Sequence, residues 1–248
     1  WSCGNAVKRA AEDAREQIFD LIERALNKER DQLYLEDMKV KSHVEKDWEL
    51  SLKDFIIDGI MMEDGTWRGG PVIGRGMFMP EFSSALSDPE TGQGGKPNVH
   101  YTVGAAAVDL DVDKDTGKIK IHKVVLGVDA GTILNPELVR GQITGGIVQG
   151  LATVLYEDMR FSDKGKMLNP NFTDYKIPTA LDIPEQIVAI TVETPQPDGP
   201  FGARGVGEHT MIPCAPMVGN AVKNATGKRI KSMPITPEKI IFSKKDQD

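Results

Sequence analysis

The 248-residue chain is 40% hydrophobic and 27% charged, with 25 glycines and 15 prolines, the balance of a globular protein long enough to bury a core. A formal charge of −7 without any basic block argues against nucleic acid or an anionic membrane as the main partner. No apolar run reaches spanning length and no signal peptide is visible, while the distant Cys3 and Cys214, without CxxC spacing, suit a reducing, cytoplasmic setting.

In chain order, the sequence opens "WSCGNAVKRAAEDA" without an initiator methionine, which reads as a portion of a longer or processed protein. From Asn5 to about Lys28, Val7, Ala10, Ala11, Ala14, Ile18, Leu21, Ile22 and Ala25 recur at helical spacing with charges opposite, predicting a long amphipathic helix. Residues 31–60 hold short mixed segments, and residues 63–100, rich in glycine and proline, read as a long loop that is functional or wraps a partner. Val108, Leu110 and Val112 alternate with aspartates, "KDTG" turns the chain, and Ile119 and Ile121 alternate on the return, predicting a hairpin. A helix enters after Asn135-Pro136, "QIVAITVET" is a strand, and "APMVGNAVKNATGKRI" is a second amphipathic helix stopped by Gly227. The expected fold class is α+β, with a mixed sheet, hairpins and packed helices rather than a regular βαβ array.

Two stretches bear on chemistry. In "GQITGGIVQG", Gly141, Gly145, Gly146 and Gly150 lie in a predicted helix, where each glycine costs about 0.5–1 kcal/mol relative to alanine. Glycines at this spacing clear a helix face for another backbone or a flat ligand. Gln142 and Gln149 project from nearly the same side and offer amide donors and acceptors. Tight helix packing with surface glutamines is the alternative. In "PFGARGVGEH", Gly202, Gly205 and Gly207 precede Glu208 at close spacing. The stretch is not a dinucleotide fingerprint, since both the spacing and a surrounding strand-to-helix unit are wrong. Its glycines expose backbone N–H groups, and Glu208 would stand near the N-terminal end of the last long helix, where the dipole favours the carboxylate. A carboxylate so held is a candidate general base, and a simple cap or surface loop is the alternative. Cys214 reads as a small buried residue rather than a nucleophile, and His209 as facing solvent. The aspartates of "DLDVDKDTG" lack the terminal glutamate of a calcium loop, and His43, His100, His122 and His209 form no zinc pattern.

Together these stretches resemble a known family. "DGPFGARGVGEHTMIPCAPMVGNAVKNATGKRI" followed by "PITPEKI" is similar to the C-terminal end of the molybdopterin-binding large subunit of the xanthine dehydrogenase and aldehyde oxidoreductase family, the molybdenum hydroxylases. "NPELVRGQITGGIVQGLATVLYED" resembles that family's pterin-contacting helix, "DYKIPTALDIPE" its linking segment, and "GNAVKRAAEDA" the start of its last molybdenum-binding region. The matches run in order from about Gly4 to Ile240, so residues 1–248 would be a C-terminal molybdopterin-binding region.

The resemblance implies a molybdenum held by a pterin dithiolene, typically in the cytosine dinucleotide form, with no direct protein ligand. It implies that Glu208 is the general base acting on a molybdenum-bound hydroxide during hydroxylation of a heterocycle, purine or aldehyde. Gly205, Val206 and Gly207 would bring backbone to the cofactor, and Gly141, Gln142 and Gln149 would contact the pterin or its nucleotide. Electrons would leave through [2Fe–2S] clusters to FAD on an iron–sulfur subunit and an FAD subunit, with the N-terminal remainder of the molybdenum subunit as a further partner. His209 departs from the proline common after the glutamate. Readings held beside this one are a reductive member of hydroxybenzoyl-CoA reductase type and a non-catalytic assembly module.

Overall fold

The computed structural model describes residues 1–80, 88–95 and 101–244. The chain divides into two units, Trp1–Val99 and His100–Asp248, so the break falls in the glycine- and proline-rich stretch. Among the described residues no helix is long and apolar enough to cross a membrane.

In the first unit, helix α1 spans Ser2–Leu26 and ends on Asn27, whose left-handed conformation (φ 49°) closes the last turn through a bond from its N–H to the Glu23 carbonyl. Its C-terminal half buries Ile18, Phe19, Ile22 and Ala25 with Leu33, Val40 and Phe55. Strands β1 (Leu33–Glu36), β2 (Lys39–Ser42) and β3 (Glu49–Ser51) form an antiparallel sheet in that order, and β4 (Ile60–Met61) pairs with β5 (Trp67–Arg68).

The N-terminal half of α1 does not follow the apolar stripe expected from sequence. Val7 is 68% exposed and Ala11 is also on the surface. The face that is covered carries Ala6, Ala10 and Ala14, because residues 73–78 run along it as a strap. Asp13 accepts from the Arg75 N–H at 2.9 Å, Gln17 donates to the Ile73 carbonyl at 2.9 Å, and Arg9 donates to the Met77 carbonyl at 2.8 Å. Glycine permits this approach: a Cβ on Gly74 would stand 2.0 Å from the Ala10 carbonyl oxygen, and one on Gly76 would stand 2.1 Å from that of Ala6. Part of the expected loop over 63–100 is therefore packed chain. The rest of it includes residues 81–87 and 96–100, which lie outside the described residues. Gly74→Ala forces backbone apart in a packed contact, and we expect a loss of about 1–3 kcal/mol, read as a lower urea midpoint.

In the second unit, β6 (Gly104–Val112) and β7 (Ile119–Asp129) form the expected hairpin, with Val112 opposite Ile119 and a bulge at Asp109/Leu110. The Asp113 carboxylate accepts from the N–H groups of Asp115 and Thr116, and Gly117 (φ 73°) completes the turn. Strand β8 (Gln186–Val192) pairs parallel to β7, so the sheet is mixed and its class α+β, as expected. Such a parallel pair needs a long crossover, and it contains helix α2 (Pro136–Leu155). Asn135 caps α2 by accepting from the Leu138 N–H at 3.0 Å, and Pro136 sits in the first turn, where a missing N–H costs nothing.

Ile143, Ile147, Leu151 and Val154 of α2 pack on Val124, Leu126 and Val128 of β7 and on Met217, Val218 and Val222 of α3 (Cys214–Thr226). Each such aliphatic side chain contributes about 1.5–3 kcal/mol through burial. Helix α3 ends at Gly227 (φ 75°), the expected stop, and the short α4 (Pro237–Phe242) adds Ile240 to the same core.

Candidate active site

The expected site residues all lie in the second unit, on α2 and on the chain that enters α3. The approach to Glu208 is fixed first at the end of β7. Gly131 (φ 64°) bridges to Ala203, the Thr132 N–H donates to the Gly202 carbonyl at 2.8 Å, and the Arg204 N–H donates to the Ala130 carbonyl at 2.9 Å. A Cβ on Gly131 would meet the Gly202 oxygen at 2.4 Å, so only glycine admits the crossing. Asp129 accepts from the Gly131 and Thr194 N–H groups at 3.0 and 3.1 Å, with an Arg204 guanidinium nitrogen 3.7 Å from its carboxylate. Burial alone would raise the Asp129 carboxyl, but these N–H bonds, the Thr194 hydroxyl and Arg204 outweigh it and hold it below the ordinary aspartate range. Just upstream, Phe201 adopts φ 54° while 67% exposed, a left-handed conformation unusual for a bulky residue.

Beyond Arg204, Gly207 (φ −90°, ψ −109°) has a backbone conformation outside the regions open to other residues, whereas Gly205 shows no intramolecular reason to be glycine among the described residues. Neither Gly205 nor Gly207 has positive φ, and among the described residues nothing lies within 4 Å of where a Cβ would stand on either. Glu208–Thr210 then form one 3-10 turn, closed by the Met211 N–H on the Glu208 carbonyl at 3.0 Å. Glu208 thus lies near the N-terminal end of α3, as the sequence suggested, in a separate turn ahead of it. Glu208 is exposed, and its carboxylate has no hydrogen-bond or ion-pair partner among the described residues.

Helix α2 shows two kinds of glycine. Gly141 and Gly145 face open space, with nothing among the described residues within 4 Å of where a Cβ would stand, and Gln142 and Gln149 are exposed on the same helix. Gly146 and Gly150 are packing glycines: a Cβ on Gly146 would stand 1.8 Å from Thr210 Oγ1, and one on Gly150 would stand 2.6 Å from Cys214 Sγ. The packing reading therefore holds for Gly146 and Gly150, while Gly141 and Gly145 have no packing partner among the described residues.

The contact that brings helix and turn together is Thr210, which sequence reasoning missed. Its hydroxyl donates at 2.9 Å to the Gly207 carbonyl and lies 3.3 Å from that of Gln142. Gly141, Gln142, Gly205, Val206, Gly207 and Glu208 thus belong to two segments joined at this point. Gln149 lies further along α2.

Cys214 is 1% exposed, its Sγ is 3.8 Å from the Ile147 carbonyl, and burial pushes its thiol up to about 11, which keeps it protonated and inert as expected. His209 does not simply face solvent. It is half-buried, its Nε2 is sealed without a partner among the described residues, and burial lowers its pKa, favouring the neutral ring. Among the described residues no group of His, Cys, Asp and Glu is arranged to hold a metal ion directly. The cavity of about 370 Å³ around Met159, Asn169 and Phe172 and that of about 350 Å³ beside Tyr156 and Asp182 are not lined by Glu208. Glu208 instead stands beside open backbone that a flat or bulky group can approach.

A family model described as a molybdopterin cofactor-binding domain matches residues 1–184. A putative xanthine dehydrogenase molybdenum-binding subunit of Escherichia coli is 41% identical over 138 residues, 55% of this chain and 18% of its own length. The nicotine 6-hydroxylase large subunit of Paenarthrobacter nicotinovorans is 28% identical over 245 residues, 98% of this chain and 28% of its own length. Among solved structures, quinoline 2-oxidoreductase from Pseudomonas putida 86 superposes with a TM-score of 0.67 at 27% identity, over 95% of this chain and 28% of that one. The chain therefore spans less than a third of the length of these relatives.

Proposed function

Since the chain belongs to the molybdopterin cofactor-binding domain family, we propose that it is part of a molybdenum-dependent hydroxylase in which Glu208 is the general base. The observation that carries this reading is the set of glycines at 141, 145 and 205, none with positive φ and none with a neighbour among the described residues where a Cβ would stand. Glycine in a helix interior costs about 1 kcal/mol relative to alanine, so for Gly141 and Gly145 a group outside the described residues is the natural cause. A pterin cofactor fits that cradle. Gln142 and Gln149 would hold its hydrogen-bonding edges, and Gly141, Gly205, Val206 and Gly207 would let it lie against backbone.

When bound, the molybdenum cofactor supplies the two-electron acceptor and the centre at which water-derived oxygen is activated. Glu208 then does what an exposed carboxylate without a partner of its own is able to do. Its Oε atoms take the proton from the attacking hydroxyl, making that oxygen nucleophilic toward an electron-poor carbon. The Gly202–Arg204 crossing fixes where the span carrying the carboxylate begins.

The relatives named for xanthine, nicotine, quinoline and aldehydes support the wider substrate class of heterocycles, purines and aldehydes. On this reading residues 1–248 lie within a longer molybdenum subunit, with the cofactor in its cytosine dinucleotide form. [2Fe–2S] and FAD subunits would receive the electrons, in the cytoplasm. Elemental analysis of the natively purified assembly tests it. We expect near-stoichiometric molybdenum with copurifying iron, and release of a cytosine nucleotide on acid hydrolysis. An assembly that turns over substrate without molybdenum would sink the reading.

A further inference from the structure

Thr210 is 0% exposed, the most deeply buried polar side chain among the described residues. A valine would fill the same volume, so burial alone does not call for a hydroxyl. What the hydroxyl adds is direction. It has one proton to donate, and the 2.9 Å bond to the Gly207 carbonyl orients it while the Gln142 carbonyl lies on its other side at 3.3 Å. Gly146 has no side chain there, and its missing Cβ is the space that Thr210 Oγ1 occupies, 1.8 Å from where that carbon would stand. Upstream, among the described residues, the Gly205–Gly207 backbone is tied as far as Arg204, through the Ala130 carbonyl and Asp129. Thr210 is thus the clamp at the other end of a glycine-rich span that carries Glu208.

We propose that Thr210 is a positioning residue that fixes the Glu208 turn to the Gln142 helix, so that the base and the cofactor-facing side of α2 keep one register. This rests on the reading of Glu208 as the base. Without the hydroxyl, the turn keeps only its own backbone bonds and loses its tie to the Gln142 carbonyl, so the peptide plane ahead of Glu208 shifts against α2. Thr210 itself touches neither substrate nor cofactor.

The test compares Thr210→Val, Thr210→Ala and Thr210→Ser with the parent and with Glu208→Gln in the assembled enzyme. A displacement near 1 Å at a reacting group costs about a hundredfold in rate, so Thr210→Val should lower kcat by about ten- to a hundredfold, with KM and bound molybdenum unchanged. The second readout is hydrogen exchange, which needs no turnover. The Met211 amide, bonded to the Glu208 carbonyl at 3.0 Å, should exchange faster, while Val218 and Val222 amides in α3 keep their protection. Thr210→Ser should restore both. Should the valine variant fail to assemble, the serine and alanine variants decide, because they differ only in the hydroxyl.

Parent-like kcat and Met211 exchange without the hydroxyl would overturn the proposal, as would a serine variant no better than alanine. Glu208→Gln separates the two claims. If it keeps full turnover, the base reading falls, and with it this role for Thr210. If it is inactive while Thr210→Val is parent-like, only the positioning claim falls.

Discussion

Glu208→Gln is expected to lower kcat/KM by about 10²–10⁴, the usual contribution of a positioned general base, with molybdenum content and melting temperature unchanged. The structure separates these effects. The side chain is exposed and has no partner of its own among the described residues, so an amide of the same shape leaves no buried group unsatisfied. Changes at such positions shift stability by no more than about 0.5 kcal/mol. The turn itself is closed by backbone, through Met211 N–H on the Glu208 carbonyl, and by the Thr210 hydroxyl, neither of which the substitution touches. Glutamine retains hydrogen-bonding capacity but cannot take the proton, so the loss should fall on kcat. A fall in cofactor occupancy matching the fall in rate would instead make Glu208 a structural contact. Steady-state kinetics with metal analysis on the same preparation tells the two apart.

The parts of this arrangement written locally were legible in sequence. Helix α2 announces itself by Asn135-Pro136, and the β6–β7 hairpin by alternation around a turn with Gly117. Glu208 stood out because glycines precede it, and the resemblance then gave it a role. What was not legible depends on distant chain. The parallel pairing of β7 with β8 joins strands separated by the whole of α2 and its following loop. The exposed Val7 and the covered Ala6 on α1 are set by a strap at residues 73–78, which no periodicity within α1 encodes. Thr210 is one hydroxyl in "GEHTM", and its partner Gln142 lies 68 positions earlier. The four helix glycines looked alike in sequence. Only the packing of Thr210 and Cys214 divides them into two that admit a neighbour and two that face open space.

That division predicts opposite outcomes for adjacent glycines. Gly145→Ala adds a methyl where nothing among the described residues lies within 4 Å, in the interior of α2, and should stabilise the chain by about 0.5–1 kcal/mol through helix propensity alone. Gly146→Ala gains the same propensity but drives a carbon to 1.8 Å from Thr210 Oγ1 and 2.7 Å from Thr210 Cβ. Thr210 is fully buried and bonded on the Gly207 side, so it has no rotamer into which to escape, and the turn must move bodily. Overpacking of this kind costs about 1–3 kcal/mol, which outweighs the propensity gain. The movement also carries Glu208, so kcat should fall by about a hundredfold. For Gly145→Ala the sign reverses between readouts: higher stability of the protein without cofactor, but lower molybdenum occupancy, because the methyl would occupy the face proposed for the pterin. Urea midpoints of cofactor-free protein and molybdenum per chain in the assembled enzyme measure both. If Gly145→Ala left occupancy unchanged, the open face of α2 would not be the cofactor's, and the cradle would have to rest on Gly205 and Gly207 alone.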